Sequence, residues 1–228
     1  MRIAELFYSI QGEGTLAGVP SAFVRTAGCN LACRWCDTAY ALCAADGEDM
    51  SVSDVVEIIG KWPARHVVVT GGEPMIQPDV VELTRALRDQ GRHITIETAG
   101  TIYKPVRCDL MSISPKLTNS TPQGTDSGAQ GEHHEARRVN VEVLLRLMAG
   151  YDYQLKFVIA SPNDLDEIQQ LLVQLRRPDP GRVLLMPEGT DRDTLHERAA
   201  WLIELCKETG FRYCPRLQIE LFGHRRGV

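Results

Sequence analysis

The sequence predicts an α/β fold built on a mostly parallel sheet, open or curled toward a barrel. Three observations predict it. Short apolar runs alternate with amphipathic stretches along most of the chain. Four of those runs end in polar segments that contain glycine or proline, and in parallel sheets such strand ends gather at one edge. The length, 228 residues with 43% hydrophobic, suits a single domain over residues 1–228 with a substantial core.

The elements follow in order. Ala22-Phe23-Val24 is the first apolar run, and the stretch from Val52 to Lys61 has helical periodicity. His66 to Val69 reads as a strand, Val80 to Gln90 as a helix, and Ile94-Thr95-Ile96 as the next strand. Leu110 to Ser114 continues the series. A helix is expected from about Val141 to Met148, a strand over Gln154 to Ile159, a helix over Leu165 to Leu175 and a strand over Val183 to Met186. A helix from Arg192 to Thr209 and a last apolar run, Leu217 to Phe222, complete the pattern. Residues Thr118 to Glu135 break the rhythm: rich in Asn, Ser, Thr, Gly, Gln and Glu, they read as a flexible surface insertion. His133 and His134 fall inside it and read as solvated loop histidines.

Composition excludes several classes of function. Net charge is -5, with no long Lys or Arg run to attract nucleic acid or an anionic membrane. No apolar run approaches the roughly 20 residues needed to span a bilayer, and Met1 to Phe7 lacks a signal-like pattern, so a cytoplasmic protein with a small ligand is expected. Seven cysteines, three of them clustered, favour metal ligation over disulfides. Cys43, Cys108, Cys206 and Cys214 read as packing residues.

Cys29, Cys33 and Cys36 lie within eight residues and are one thiolate short of a closed structural site. Around an iron-sulfur cubane, three thiolates leave one iron open to a small molecule. A zinc site completed by a distant histidine, or buried thiols, are the alternatives on spacing alone. Downstream, Val67-Val68-Val69-Thr70 runs straight into Gly71-Gly72-Glu73-Pro74, where glycines allow close backbone approach. The other polar strand ends are Glu97-Thr98-Ala99-Gly100, Ser112-Ile113-Ser114-Pro115-Lys116 and Met186-Pro187-Glu188-Gly189.

The cysteine spacing, Trp35 before the third cysteine, and Gly71-Gly72-Glu73-Pro74 together resemble the radical S-adenosylmethionine superfamily. The opening Phe7-Tyr8-Ser9-Ile10-Gln11-Gly12-Glu13-Gly14, with Arg25, Cys36-Asp37-Thr38, Glu97-Thr98, Leu155-Lys156 and Arg216-Leu217-Gln218, is similar to the 7-carboxy-7-deazaguanine synthase family. The resemblance implies a shortened partial (β/α) barrel, with the cysteine loop after the first strand. It implies a carbon-nitrogen lyase that contracts the ring of 6-carboxy-5,6,7,8-tetrahydropterin with loss of ammonia, in queuosine or other 7-deazapurine biosynthesis. Implied cofactors are a 4Fe-4S cluster on Cys29, Cys33 and Cys36, S-adenosylmethionine and Mg2+. The resemblance assigns substrate to Ile10, Gln11, Gly12, Glu13, Arg25 and Thr70. It assigns S-adenosylmethionine to Trp35, Cys36, Asp37, Gly72, Glu97, Ser114, Pro115, Lys116, Met186, Pro187, Glu188 and Gly189, and Mg2+ to Thr38. A homodimer and an external electron donor such as flavodoxin are implied as partners. Lys156, Gln218 and His224 carry no assigned role, and Ala99 stands where the family's Glu-Thr-Asn-Gly version has asparagine.

Ordinary roles compete with several of these. Arg25 could pair with an acid at a sheet edge, Thr38 could cap a helix, and Glu13 could brace its glycine turn. The competing functions are a glycyl-radical activase, which needs an open groove for a polypeptide, and a zinc-stabilised binding protein.

Overall fold

In the computed structural model, residues 1–123 and 128–228 are described. Nine strands form one open sheet, β1 (Arg2–Ile10), β2 (Pro20–Thr26), β3 (Glu48–Asp49), β4 (His66–Gly71), β5 (His93–Thr98), β6 (Leu110–Ile113), β7 (Tyr153–Ile159), β8 (Val183–Pro187) and β9 (Arg212–Tyr213). Their spatial order is β3-β1-β2-β4-β5-β6-β7-β8-β9. From β2 to β9 every neighbouring pair is parallel, whereas β1 pairs antiparallel with β2 and β3. This is the expected α/β architecture, mostly parallel and not closed. The expected position of the cysteine loop shifts by one strand, because β1 precedes the first apolar run and the loop follows β2.

The helices are α1 (Val52–Gly60), α2 (Val80–Asp89), α3 (Gly128–Arg137), α4 (Val141–Gly150), α5 (Asp164–Gln174), α6 (Arg192–Thr209) and α7 (Leu217–Phe222). Local chemistry fixes their ends. Ser51 and Asp54 close a reciprocal capping box on α1, Asn140 and Asp191 accept the N–H of Val143 and Thr194, and Gly210 ends α6 at φ 74°. The last apolar run is α7, a helix of one and a half turns.

Strand alternation divides the molecule into two faces. Ala22, Val24, Val67, Val69, Ile94, Ile96, Met111, Ile113, Leu155, Phe157 and Ile159 point outward under the helices and are fully buried. Each of these side chains larger than alanine contributes about 1.5–3 kcal/mol. Their neighbours Phe23, Arg25, Thr70, Glu97, Ser112, Ser114, Lys156 and Val158 face the other way and line a cavity.

The segment expected to be a flexible surface insertion contains a 3-10 turn at Thr118–Ser120 and helix α3. Residues 124–127 of it lie outside the described residues. His134 is not a solvated loop residue: it is buried on α3, with both ring nitrogens in hydrogen bonds. Cys43 is exposed and not a packing residue.

Candidate active site

One cavity of about 220 Å³ opens on the inner face at the carboxyl ends of the parallel strands. All three clustered cysteines line it, together with Ile10, Gln11, Gly12, Glu13, Arg25, Trp35, Asp37, Thr38, Thr70, Gly72, Glu97, Ser114, Lys116 and Met186. The chain thus brings together residues from the N-terminal turn, the cysteine loop and four strand ends.

The glycines of the β4 exit work between chain segments. Gly71 has φ 142°, and a Cβ there would overlap Thr26 O; a Cβ on Gly72 would overlap Gly28 O. This bare backbone lets Gly72 and Glu73 donate to Thr26 O at 3.0 Å and Gly28 O at 2.9 Å, pressing the strand end against the root of the cysteine loop. Glu73 is buried and turns away from the cavity. Its carboxylate accepts from Met75 N at 3.0 Å, Thr98 Oγ1 at 2.8 Å and Ala99 N at 2.8 Å. Burial raises its pKa against those donors. At position 99 the backbone N–H supplies the contact, so alanine retains it.

The floor is a chain of buried charges. Glu13 pairs with Lys156 and with Arg216, whose Nε lies 3.3 Å from Oε1, and Gln218 Nε2 donates to it at 2.8 Å. Burial would raise the Glu13 carboxyl, but Lys156 and Arg216 outweigh it and hold the group at about 2. Lys156 shows the converse: burial would lower it, while Glu13 and Glu97 raise it, so it stays an ammonium. Glu97 lies 3.9 Å from Lys156 and accepts from Gln11 Nε2 at 3.1 Å and Thr70 Oγ1 at 3.0 Å. Arg216 also grips Asp37 of the cysteine loop and Gly189 O, joining three edges of the site.

Of the residues without a sequence-assigned role, Lys156 and Gln218 line the cavity, whereas His224 sits outside it with Nε2 2.8 Å from Asp37 O. Among the described residues, Gln218 Oε1 is buried without a partner. Arg216, which sequence reasoning assigns no role of its own, is 5% exposed and ties three segments together; an arginine buried beside two carboxylates leaves no mark on hydrophobic periodicity. Pro115, Pro187, Glu188 and Gly189 do not line the cavity. Beyond Met186 the strand alternates away, Glu188 pairs with Arg198 of α6, and Gly189 serves Arg216. Arg25 pairs with Glu5 at 2.6 Å, as Tyr40 OH does, while still facing the cavity. Thr38 does not cap the turn after it; its hydroxyl donates to Asp37 Oδ1 at 2.9 Å.

The donor set fits an iron-sulfur cluster better than one metal ion. Among the described residues, no three His, Cys, Asp or Glu side chains converge on a single ion position. Tetrahedral zinc would need its sulfurs about 3.8 Å apart, whereas a cubane takes one thiolate at each of three iron corners. Burial pushes the Cys29 thiol up to about 12 and raises Cys33 and Cys36 too, so ligation must displace their protons. Lys116 Nζ, 5.7 Å from the Trp35 ring, places a positive charge beside all three.

Comparison with known proteins identifies the family. Residues 23–148 match the model of the Radical SAM superfamily. The chain is 42% identical over 227 residues to the 7-carboxy-7-deazaguanine synthase of Rhodopirellula baltica, covering 99% of this chain and 88% of the relative. It is 46% identical over 230 residues to that of Halobacterium salinarum, covering 96% and 90%. The crystal structure of QueE from Escherichia coli superposes with a TM-score of 0.71 at 30% identity, covering 93% of this chain and 92% of that one. Superfamily membership implies a 4Fe-4S cluster and S-adenosylmethionine, and neither the activase nor the zinc-protein alternative gains support. With its three cysteines around one strand-end cavity and near-complete coverage by these relatives, the chain belongs to the 7-carboxy-7-deazaguanine synthase family of radical SAM enzymes.

Proposed function

We propose that the chain converts 6-carboxy-5,6,7,8-tetrahydropterin to 7-carboxy-7-deazaguanine, a radical ring contraction with loss of ammonia. The observation that carries this reading is the joining of the cysteine loop and a preorganised charged floor in one cavity at the strand ends. Cys29, Cys33 and Cys36 would hold the cluster, and Gly72, Ser114, Lys116 and Met186 the S-adenosylmethionine edge. When bound, these groups supply the one-electron, radical-generating chemistry that side chains cannot.

The chain's residues then have separable tasks. Glu13, held ionised, is an acceptor for the N–H groups of the pterin and does not act as an acid near neutrality. Lys156, held protonated, is a fixed positive charge and donor and not a base. Gln11, Thr70 and Glu97 form a linked polar row beside it, and Gln218 Oε1 offers an unused buried acceptor. Arg25 suits the substrate carboxylate through a bidentate pair, exchanging its present contact with Glu5. Thr38, whose hydroxyl is not used as a cap, would offer Mg2+ a hard oxygen beside that carboxylate. An external reductant such as flavodoxin and a homodimeric state complete the proposal.

The test is mass spectrometry of an anaerobic reaction containing reconstituted protein, S-adenosylmethionine, a strong reductant, Mg2+ and the pterin. Formation of 7-carboxy-7-deazaguanine is expected. Cleavage of S-adenosylmethionine with the pterin unchanged would overturn the substrate while leaving the radical machinery in place.

A further inference from the structure

The cysteine loop, residues 28–38, has no regular secondary structure, and its shape must come from contacts elsewhere. Three such contacts come from the segment around α3. Ala32 N donates to His134 Nδ1 at 3.1 Å, Arg34 N donates to Ser120 O at 2.9 Å, and Trp35 Nε1 donates to Asn119 O at 3.0 Å. His134 is 1% exposed, and its Nε2 lies 2.8 Å from Ser120 Oγ. Because Nδ1 accepts a backbone proton, the neutral ring carries its hydrogen on Nε2 and donates it to Ser120. Ser120 Oγ donates in turn to Leu117 O at 2.6 Å and lies beside the Cys33 thiol. Arg138 anchors the far end of α3, donating to Lys116 O at 3.0 Å, Thr118 Oγ1 at 2.9 Å and Glu167 at 2.6 Å. One imidazole therefore bridges the backbone between Leu31 and Cys33 to the turn that follows the Ser114-Pro115-Lys116 edge.

We propose that His134 is a positioning residue for the iron-sulfur cluster: its two ring nitrogens peg Ala32 to Ser120 and hold the loop carrying Cys29, Cys33 and Cys36 in the shape that retains iron. The proposal rests on the reading that those cysteines hold the cluster. It gives α3 a task in the radical machinery without contact to either small molecule. A histidine that merely fills space under α3 would be replaceable by any ring of similar size; a peg is replaceable only by a side chain that restores the acceptor.

The experiment compares the full chain with His134→Phe, His134→Asn and His134→Gln, all reconstituted anaerobically. Asparagine places an acceptor where Nδ1 stands, glutamine reaches toward Nε2, and phenylalanine keeps volume alone. The readouts are iron and sulfide per chain, the half-time of iron loss to a chelator, and the electron paramagnetic resonance spectrum of the reduced cluster. His134→Phe is expected to lose iron about fivefold to tenfold faster than the parent, the scale of one lost hydrogen bond, with a changed spectrum. His134→Asn should recover most of the retention and His134→Gln little. His134→Phe behaving as the parent, or His134→Gln retaining iron as well as His134→Asn, overturns the proposal. Should His134→Phe fail to fold, the asparagine and glutamine pair decides it. A parent chain that takes up no four-iron cluster removes the cluster reading and this proposal together, whereas a loaded parent matched by His134→Phe removes this proposal alone.

Discussion

Lys156 and Phe157 are adjacent on β7 and obey opposite rules. Phe157 points under the helices and is fully buried among aliphatic side chains; Lys156 points into the cavity, nearly as hidden, and is held by Glu13 and Glu97. The outer face is stabilised by area removed from water, in proportion to its amount. The inner face gains little net stability from its ion pairs, because desolvation offsets attraction, but it fixes charges at set positions before any ligand arrives. A sheet can therefore carry a reactive lining only if its other face supplies the folding energy.

The largest expected break in this contrast is Cys33→Ala, on the loop above the inner face. It should abolish cluster assembly and turnover, read from iron content and product formation, while the fold persists by circular dichroism; an active variant would refute the ligand assignment. Next come the two neighbours on β7. Phe157→Ala should cost about 3–5 kcal/mol in urea unfolding through the cavity it leaves. Lys156→Met should cost a smaller ~1–3 kcal/mol, for a different reason: the buried Glu13 carboxylate keeps Arg216 and Gln218 but loses its nearest charge. The double variant Lys156→Met/Glu13→Gln should regain most of that stability without regaining turnover, a coupling that no outer-face pair would show. Additive losses would mean that the inner pair behaves as ordinary packing.

Arg25→Ala sharpens the contrast at smaller scale. With the cluster intact, KM for the pterin should rise about 10- to 100-fold, the loss of a charged hydrogen-bonded pair. Unchanged KM would leave Arg25 as a partner of Glu5 alone. A further break is in pH. Lys156 and Arg216 hold the Glu13 carboxyl at about 2 in the folded chain, below the ordinary 4.5. The unfolded chain thus takes up the proton first, and stability should fall as pH drops from about 4.5 toward 2. Glu13→Gln should flatten that slope in urea unfolding of the cluster-free chain between pH 5 and 3.

How legible each region was follows from the same division. Outer-face strands such as Val67-Val68-Val69 and Ile94-Thr95-Ile96 announce themselves as apolar runs, and the cysteine spacing is local in sequence. β1 carries no clear strand signal because a register shift between Ile3 and Glu5 spoils its alternation. α7 is too short for periodicity to separate a helix from a strand. α3 leaves no apolar pattern because it is anchored by His134 and by Arg138 just beyond its end, polar groups that apolar patterning cannot register. The Arg216 clasp joins residues 203 apart at Glu13, a proximity that only the folded sheet creates.

That clasp also sets an order in time. Arg216 grips Asp37 across 179 residues of chain. At ribosomal rates of ~5–20 residues per second, the cysteine loop leaves the ribosome about 9–36 s before the arginine that secures it. During that interval the three cysteines are already synthesised while the charged floor is open, so iron delivered early would meet a nascent chain whose lining is unfinished, and iron delivered late a completed one.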